Sequence, residues 1–293
     1  MKMDGEISMH STSDNASERI EDLVSQQTAR KTYLDRFGHT FSNQCAKFLI
    51  EPVTIDSDEA ILDVATGPGT AVFECLCKFG NSPSIIGIDA SLEMLQGAES
   101  IQNAIWEKCG VRPRFIHGDV HHLPFANETF DGVMSNLGIH LFSERIRAIS
   151  EMGRVLKSSG FLLISIPYLI PESYNVPPVT NSTEPSDFVR ELVECSGKEY
   201  SILDEIIDEL EKNGFSDVKA TDTVIPYTCN GAQEVIGLIK TVLHFSGCMA
   251  RTEQLHAFAE LDNLLYSHLL WGDTNTYTVQ LGVARILCIK SAR

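Results

Sequence analysis

The decapeptide Ile61-Leu62-Asp63-Val64-Ala65-Thr66-Gly67-Pro68-Gly69-Thr70 decides how this chain is read. It runs an apolar strand into a tight glycine turn, with the carboxylate of Asp63 between the two. A glycine turn at the carboxyl end of a buried strand lets backbone N–H groups approach a ligand closely, and a strand-end acid accepts hydrogen bonds from a donor such as an ammonium group. These residues predict a nucleotide-type cofactor site.

Downstream, Ile85-Ile86-Gly87-Ile88-Asp89 ends a second apolar run on an acid, which suits the two hydroxyls of a ribose. A third run, Phe115-Ile116-His117-Gly118-Asp119-Val120, also finishes on an acid and is followed by Leu123-Pro124-Phe125 and Thr129-Phe130-Asp131. The glycine loop lacks the third glycine of the GxGxxG pattern, which lets helix and strand pack closely in dinucleotide enzymes. A nicotinamide reading is weakened accordingly.

Around these acids, short apolar runs at 60–64, 84–88, 113–117, 132–135 and 161–166 alternate with helical patterns through Cys77, at 92–108 and at 144–156. Such alternation predicts a parallel sheet with helices on both faces. Ser158-Ser159-Gly160 reads as the stop of the third of these helices. Upstream, the spacing of Leu34, Phe37, Phe41, Cys45 and Phe48 predicts two helices before the first strand, ended by Pro52. Beyond 168–185, a loop rich in Pro, Ser, Thr and Asn, the pattern predicts helices at 187–195 and 202–213 and a sixth strand at 218–226. Helical periodicity then recurs twice in 232–270, broken around Gly247, before a last strand at 278–289. The expected organisation is a disordered tail at 1–20 and a single domain at 21–293. Within that domain lie helices at 21–53, a cofactor-binding core at 54–167, a loop, helices and the sixth strand at 168–230, a helical cap insertion at 231–275 and the last strand at 276–293.

Taken together, these motifs are similar to those of class I S-adenosylmethionine-dependent methyltransferases, most of all the small-molecule branch that includes the ubiquinone and menaquinone biosynthesis methyltransferases. Residues 61–69 resemble that family's first motif, Asp89-Ala90-Ser91 with Met94-Leu95 its second, and Asp119-Val120 its adenine-side motif. Arg154-Val155-Leu156-Lys157 through Gly160 and Phe161 resembles the segment leading into the fifth strand. The resemblance is strong over 60–167 and looser afterwards.

It implies an α/β fold: a Rossmann-like, seven-stranded, mostly parallel sheet with helices on both faces, a helical cap, and S-adenosylmethionine as cofactor. The backbone of Gly67 to Gly69 would lie against the methionine part, with Asp63 near its charged end. Asp89 would hold the ribose hydroxyls, Asp119 the adenine amino group, and Val120 would sit beside the ring. Asn136 and Leu137 would line the methionine side, and Ala65, Thr66, Pro68, Ala90, Met94 and Gly118 complete the implied cofactor-binding set. Tyr33 opens Tyr-Leu-Asp-Arg-Phe, which resembles the helix these enzymes fold across the cofactor. One departure is Ala65, where the family more often carries Gly.

Plainer readings stand beside these. Asp63 could cap the following helix, Asp89 could be a solvated turn carboxylate, and Asp119 a loop acid followed by two histidines. His140, in Asn136-Leu137-Gly138-Ile139-His140-Leu141-Phe142, is the best candidate base, because imidazole titrates near neutrality; it could equally pack beside the cofactor. His121 and His122 begin a loop or helix beside the adenine pocket. Tyr168, placed just after the fifth strand, could face substrate or pack within the loop. Residues 236–271 could be an ordinary helical pair or a lid that excludes water, which makes His244, Phe245 and Trp271 substrate-pocket candidates.

The chain has 293 residues, 43% hydrophobic and 22% charged, as in an ordinary soluble domain with a full core. A formal charge of −17 gives no footprint for nucleic acid, so the expected partner is a small-molecule acceptor. The longest apolar candidate, 160–170, is interrupted by Pro167 and falls short of the roughly 18 to 20 residues of a membrane span. Without a secretory h-region the expected location is cytoplasmic. Eight cysteines without a CxxC pair read as free thiols, with no metal.

The expected reaction is direct displacement, in which an O, N, S or C atom of a small hydrophobic metabolite attacks the sulfonium methyl group and S-adenosylhomocysteine leaves. Two rivals are a nicotinamide-dependent oxidoreductase and a cofactor-binding cyclase or regulatory module on the same fold. Neither the acceptor nor the oligomeric state is legible in the sequence.

Overall fold

β1 (Ala60–Val64) is buried on both faces because its side chains alternate, Leu62 and Val64 entering one core and Ile61 the other. It pairs in parallel with β2 (Ser84–Asp89) on one side and β4 (Phe130–Asn136) on the other. β3 (Arg114–His117) extends the sheet beyond β2, and β5 (Leu156–Leu169) beyond β4, both in parallel. β7 (Thr276–Lys290) then runs antiparallel between β5 and β6 (Phe215–Asn230), giving the order β3-β2-β1-β4-β5-β7-β6. The seven-stranded, mostly parallel sheet is as expected. Its reversed β7 departs from the 3-2-1-4-5-6 order of dinucleotide-binding sheets. This computed structural model describes residues 38–80, 83–109, 113–169, 202–230, 234, 237–238 and 276–292.

Helices cover both faces. On one, Ala46, Leu49 and Ile50 of α1 (Gly38–Ile50) and Ala71, Val72 and Cys75 of α2 (Thr70–Phe79) pack on Ile61, Met134 and Leu163. α3 (Leu92–Cys109) links β2 to β3. On the other face, Ala148, Ile149, Met152 and Val155 of α4 (Arg145–Val155) and Ile206 and Leu210 of α5 (202–212) pack on Leu62, Val64, Val133, Leu162, Ile164 and Ile286. Each large side chain so buried contributes about 1.5–3 kcal/mol from the water it leaves. No described helix is long and apolar enough to cross a membrane.

Three local readings need correction. Ser158-Ser159-Gly160 is not a helix stop: α4 ends at Val155, and the chain is already extended from Leu156. Pairing jumps from Phe130 with Leu156 to Gly132 with Phe161, so the intervening residues form a bulge in which Ser159 takes φ 65° and Lys157 pairs with Asp131. Tyr168 lies within β5 rather than after it, because Pro167 falls beyond the last residue that pairs with β4 and pairs only with Val283. Similarly, β6 continues past Pro226 to Asn230, which an edge strand permits. The tail, the first of the two expected N-terminal helices, the helix at 187–195, the cap helices except helical residues 234 and 237–238, and Tyr33, His244, Phe245 and Trp271 lie outside the described residues.

Candidate functional site

The carboxyl ends of β1, β2 and β4 gather most of the described candidates, at the point where the chain leaves the middle of the sheet in opposite directions. The loop after β1 is fixed from within. Thr66 N–H donates to the Ile88 carbonyl at 3.0 Å and Gly69 N–H to the Thr66 carbonyl at 2.9 Å. Gly69 precedes the first turn of α2 at φ 80°, with the rings of Phe73 and Phe115 so near that a Cβ would fall 2.8 Å from each. Only glycine satisfies that position. Around Gly67, by contrast, a Cβ would meet nothing within 4 Å, so the crest of the loop faces open space.

Strand alternation turns Asp63 to the α1–α2 face, where it is 1% exposed. Its Oδ2 accepts the Thr66 hydroxyl at 2.6 Å, while its Oδ1 is buried and has no partner among the described residues. Burial pushes the carboxyl up to about 7; the Thr66 hydrogen bond opposes the rise and the nearby Asp89 carboxylate adds to it. Asp63 does not cap α2: Oδ2 takes the Thr66 hydroxyl and Oδ1 takes no backbone N–H of the helix.

Asp89 ends β2 and ties two loops together. Oδ2 accepts Gly67 N–H and Oδ1 accepts Ser91 N–H, both at 2.8 Å. The Asp89 carbonyl takes Gly118 N–H at 3.0 Å, which brings the third motif alongside. Asp119 follows, more than half exposed, and accepts both the backbone N–H and the Nδ1 of His121, at 2.9 and 2.6 Å. The His121 N–H, more than any other contact, holds this carboxyl below the usual range. Val120 is buried at the start of the short 3-10 turn Val120–His122.

At the end of β4 the chain makes a second unusual turn. Leu137 adopts φ 57°, Gly138 follows, and a 3-10 turn Ile139–Leu141 carries His140. A Cβ on Gly138 would lie 2.6 Å from Ser135 Oγ and 2.8 Å from Ala65 Cβ, so this turn presses directly on the loop after β1. Ala65 itself sits at φ 53°, which accounts for glycine being the commoner residue there. His140 Nδ1 is shielded from solvent without a partner among the described residues, and burial lowers the imidazole to about 4. The ring is therefore neutral near pH 7.

Among the described residues the only buried side-chain polar atoms without a partner are Asp63 Oδ1, Ser135 Oγ and His140 Nδ1. All three belong to the ends of two adjacent strands, β1 and β4, and the turn that follows β4. Orphaned buried polar atoms are rare in folded proteins, and their clustering marks a place that the described residues do not complete. Ser135 was not legible as a candidate, since a serine late in a strand carries no pattern of its own. Two expected members point elsewhere. The Asn136 amide is spent on Ser42 and Ser165, and Tyr168 packs across Gly282 with its hydroxyl on Asp222.

Residues 61–160 match the model of a methyltransferase domain. A demethylmenaquinone methyltransferase of Thermotoga maritima is 36% identical over 146 residues, covering 50% of this chain and 59% of that protein. A ubiquinone/menaquinone biosynthesis C-methyltransferase of Citrifermentans bemidjiense is 29% identical over 149 residues, covering 50% of this chain and 62% of its own length. The chain thus spans about three fifths of these curated relatives. Among solved structures, the YcgJ protein of Bacillus subtilis shares the fold with a TM-score of 0.52 and 18% identity, over 85% of this chain and 99% of that one.

Proposed function

With a methyltransferase domain over residues 61–160, a class I S-adenosylmethionine-dependent methyltransferase resemblance and S-adenosylmethionine as cofactor, we propose that this chain methylates a small, hydrophobic metabolite by direct transfer. The observation that carries the reading is the orphaned Oδ1 of Asp63, a buried acceptor that lacks a donor among the described residues. The residues present fit the cofactor. Asp63 would take the ammonium group, and the open crest at Gly67 would accommodate the methionine part. Asp89, at the end of the neighbouring strand, would hold the ribose hydroxyls. Asp119, at the exposed rim, would meet the adenine amino group.

When bound, S-adenosylmethionine supplies a sulfonium methyl group as electrophile. The chain's own part is positional: the loops after β1 and β4 are held against one another, and such fixed placement supplies much of the rate in a transfer between two bound partners. His140, neutral near pH 7, would accept a proton from the acceptor. A base lowered to about 4 is weak, so it suits an acceptor that is already acidic, such as a phenol or an enol.

The relatives named for menaquinone and ubiquinone biosynthesis support a quinone-type acceptor. A net charge of −17 favours such a molecule over nucleic acid. We place the activity in the cytoplasm, in a single domain over 21–293 whose residues 231–275 cap the acceptor. The test is a labelled-methyl assay with demethylated quinols and with apolar extracts; label in an apolar product supports the reading, and no label in any fraction counts against it.

A further inference from the structure

We infer that Asn136 is a positioning residue: its amide, with Ser42 and Ser165, locks the Leu137–Gly138 turn against the loop after β1 and so shapes the cofactor site without touching the ligand. The inference rests on the proposed function and deepens it.

Three buried side chains carry it, Ser42 and Ser165 at 0% exposure and Asn136 at 9%. The Asn136 amide nitrogen donates to the carbonyl and the hydroxyl of Ser42, at 3.3 and 3.2 Å. At the other end, the Ser165 hydroxyl donates to Asn136 Oδ1 at 2.8 Å. The same Ser165 oxygen accepts Leu137 N–H at 3.0 Å, and the Ser165 carbonyl shares that N–H at 3.2 Å. Donor and acceptor ends of the amide are both engaged by protein, which is why Asn136 acts through its neighbour. That neighbour is Leu137, at a φ that L residues adopt only under constraint, and the turn it begins leaves no room for a Cβ between Gly138 and Ala65.

The far end of the relay is anchored. Ser42 lies on α1, whose carboxyl end is held by Lys78 Nζ on the carbonyls of Ile50, Glu51 and Val53 and by Arg285 on the Phe48 carbonyl, with its guanidinium over the Phe48 ring. From Ser42 onward α1 is a fixed strut, and the relay sets the β4 turn relative to it. A half-satisfied buried relay leaves its remaining members unpaired, so losing one hydroxyl releases the whole turn.

The test uses the full chain with S-adenosylhomocysteine as probe. Ser165→Ala is expected to weaken binding by about tenfold and to speed hydrogen exchange at the Leu137 amide by a similar factor. Ser165→Thr, which keeps the hydroxyl, stays within about threefold of the parent in both readouts. Leu210→Ala, in the core under α5 and away from the site, lowers the melting temperature but leaves affinity unchanged. Unaltered binding in Ser165→Ala, or a loss no larger than in Leu210→Ala, overturns the inference. If the parent chain does not bind the probe at all, the proposed function falls, while the exchange at Leu137 still decides whether the relay holds the turn.

Discussion

Thr66 Oγ1 donates to Asp63 Oδ2 at 2.6 Å, while the other oxygen of the same buried carboxylate meets no donor among the described residues. One hydroxyl therefore fixes the acid's orientation and leaves its remaining oxygen without a donor, as the proposed ammonium contact requires. Asp89, the neighbouring acid of β2, raises the cost of ionising Asp63, and Cys75 of α2, whose thiol is itself pushed up, adds no cation. No Lys, Arg or His among the described residues forms an ion pair with Asp63.

The contribution of Asp63 to the stability of the ligand-free protein is expected to fall as pH rises from about 4 to about 7, against an opposite rise from His140, whose imidazole is lowered from 6.5 to about 4 by burial. Asp63 is raised from 3.8 to about 7, so between those values the unfolded chain has released a proton that the folded chain still holds. Below 3.8 both states are protonated and the contribution is fully present; above about 7 it is gone. The loss amounts to roughly 4 kcal/mol at most. Urea denaturation across that range should show the parent chain losing stability relative to Asp63→Asn as pH rises, since His140 contributes equally to both.

Binding carries the complementary dependence. Below pH 7, Asp63 must give up its proton to face an ammonium group, so S-adenosylhomocysteine affinity should fall by up to about tenfold per pH unit on acidification. Calorimetry in buffers of different ionisation enthalpy should also detect release of up to one proton. Neither effect should survive in Asp63→Asn.

Asp89→Ala removes the acceptor of Gly67 N–H and Ser91 N–H together with the proposed ribose contacts. Affinity for S-adenosylhomocysteine should drop about tenfold or more, since each lost bond to a charged group is worth about 1.5–3 kcal/mol. Equal affinity in an equilibrium titration would remove Asp89 from the site.

Gly138→Ala isolates the contact between the two turns. The φ of Gly138 is −112°, which any residue adopts, so the effect is steric, from a Cβ 2.6 Å from Ser135 Oγ and 2.8 Å from Ala65 Cβ. Stability should fall by about 1–3 kcal/mol in urea, as for an overpacked core, with a matching loss of ligand affinity.

His140→Ala should reduce turnover while S-adenosylhomocysteine affinity stays near that of the parent. With the cofactor saturating at every pH, the parent's rate should be level near neutrality and decline only as pH falls toward about 4, where the imidazole becomes protonated. A decline centred near 6.5 instead would show a solvent-exposed imidazole.

Asp63, Asp89 and the glycine loop were legible in the sequence because strand ends, acids and glycines recur there in a fixed order. The sheet followed from the same alternation. Less legible was whatever depends on distant pairing. Nothing local joins Ser42 to Asn136 and Ser165, or shows that the Asn136 amide faces α1 rather than a ligand. The bulge at Ser159 looked like a helix stop because Ser-Ser-Gly serves both uses, and only pairing with β4 distinguishes them. Pro167 and Pro226 hid the ends of β5 and β6, since a proline signals a strand's end unless its N–H side is already unpaired.

Titration calorimetry of the full chain with S-adenosylhomocysteine, run beside NAD, is the most direct measurement of whether this site holds the cofactor. Saturable one-to-one binding of S-adenosylhomocysteine, weakened in Asp63→Asn and with no heat from NAD, is the expected result. Saturable binding of NAD, with only dilution heat from S-adenosylhomocysteine, would contradict it.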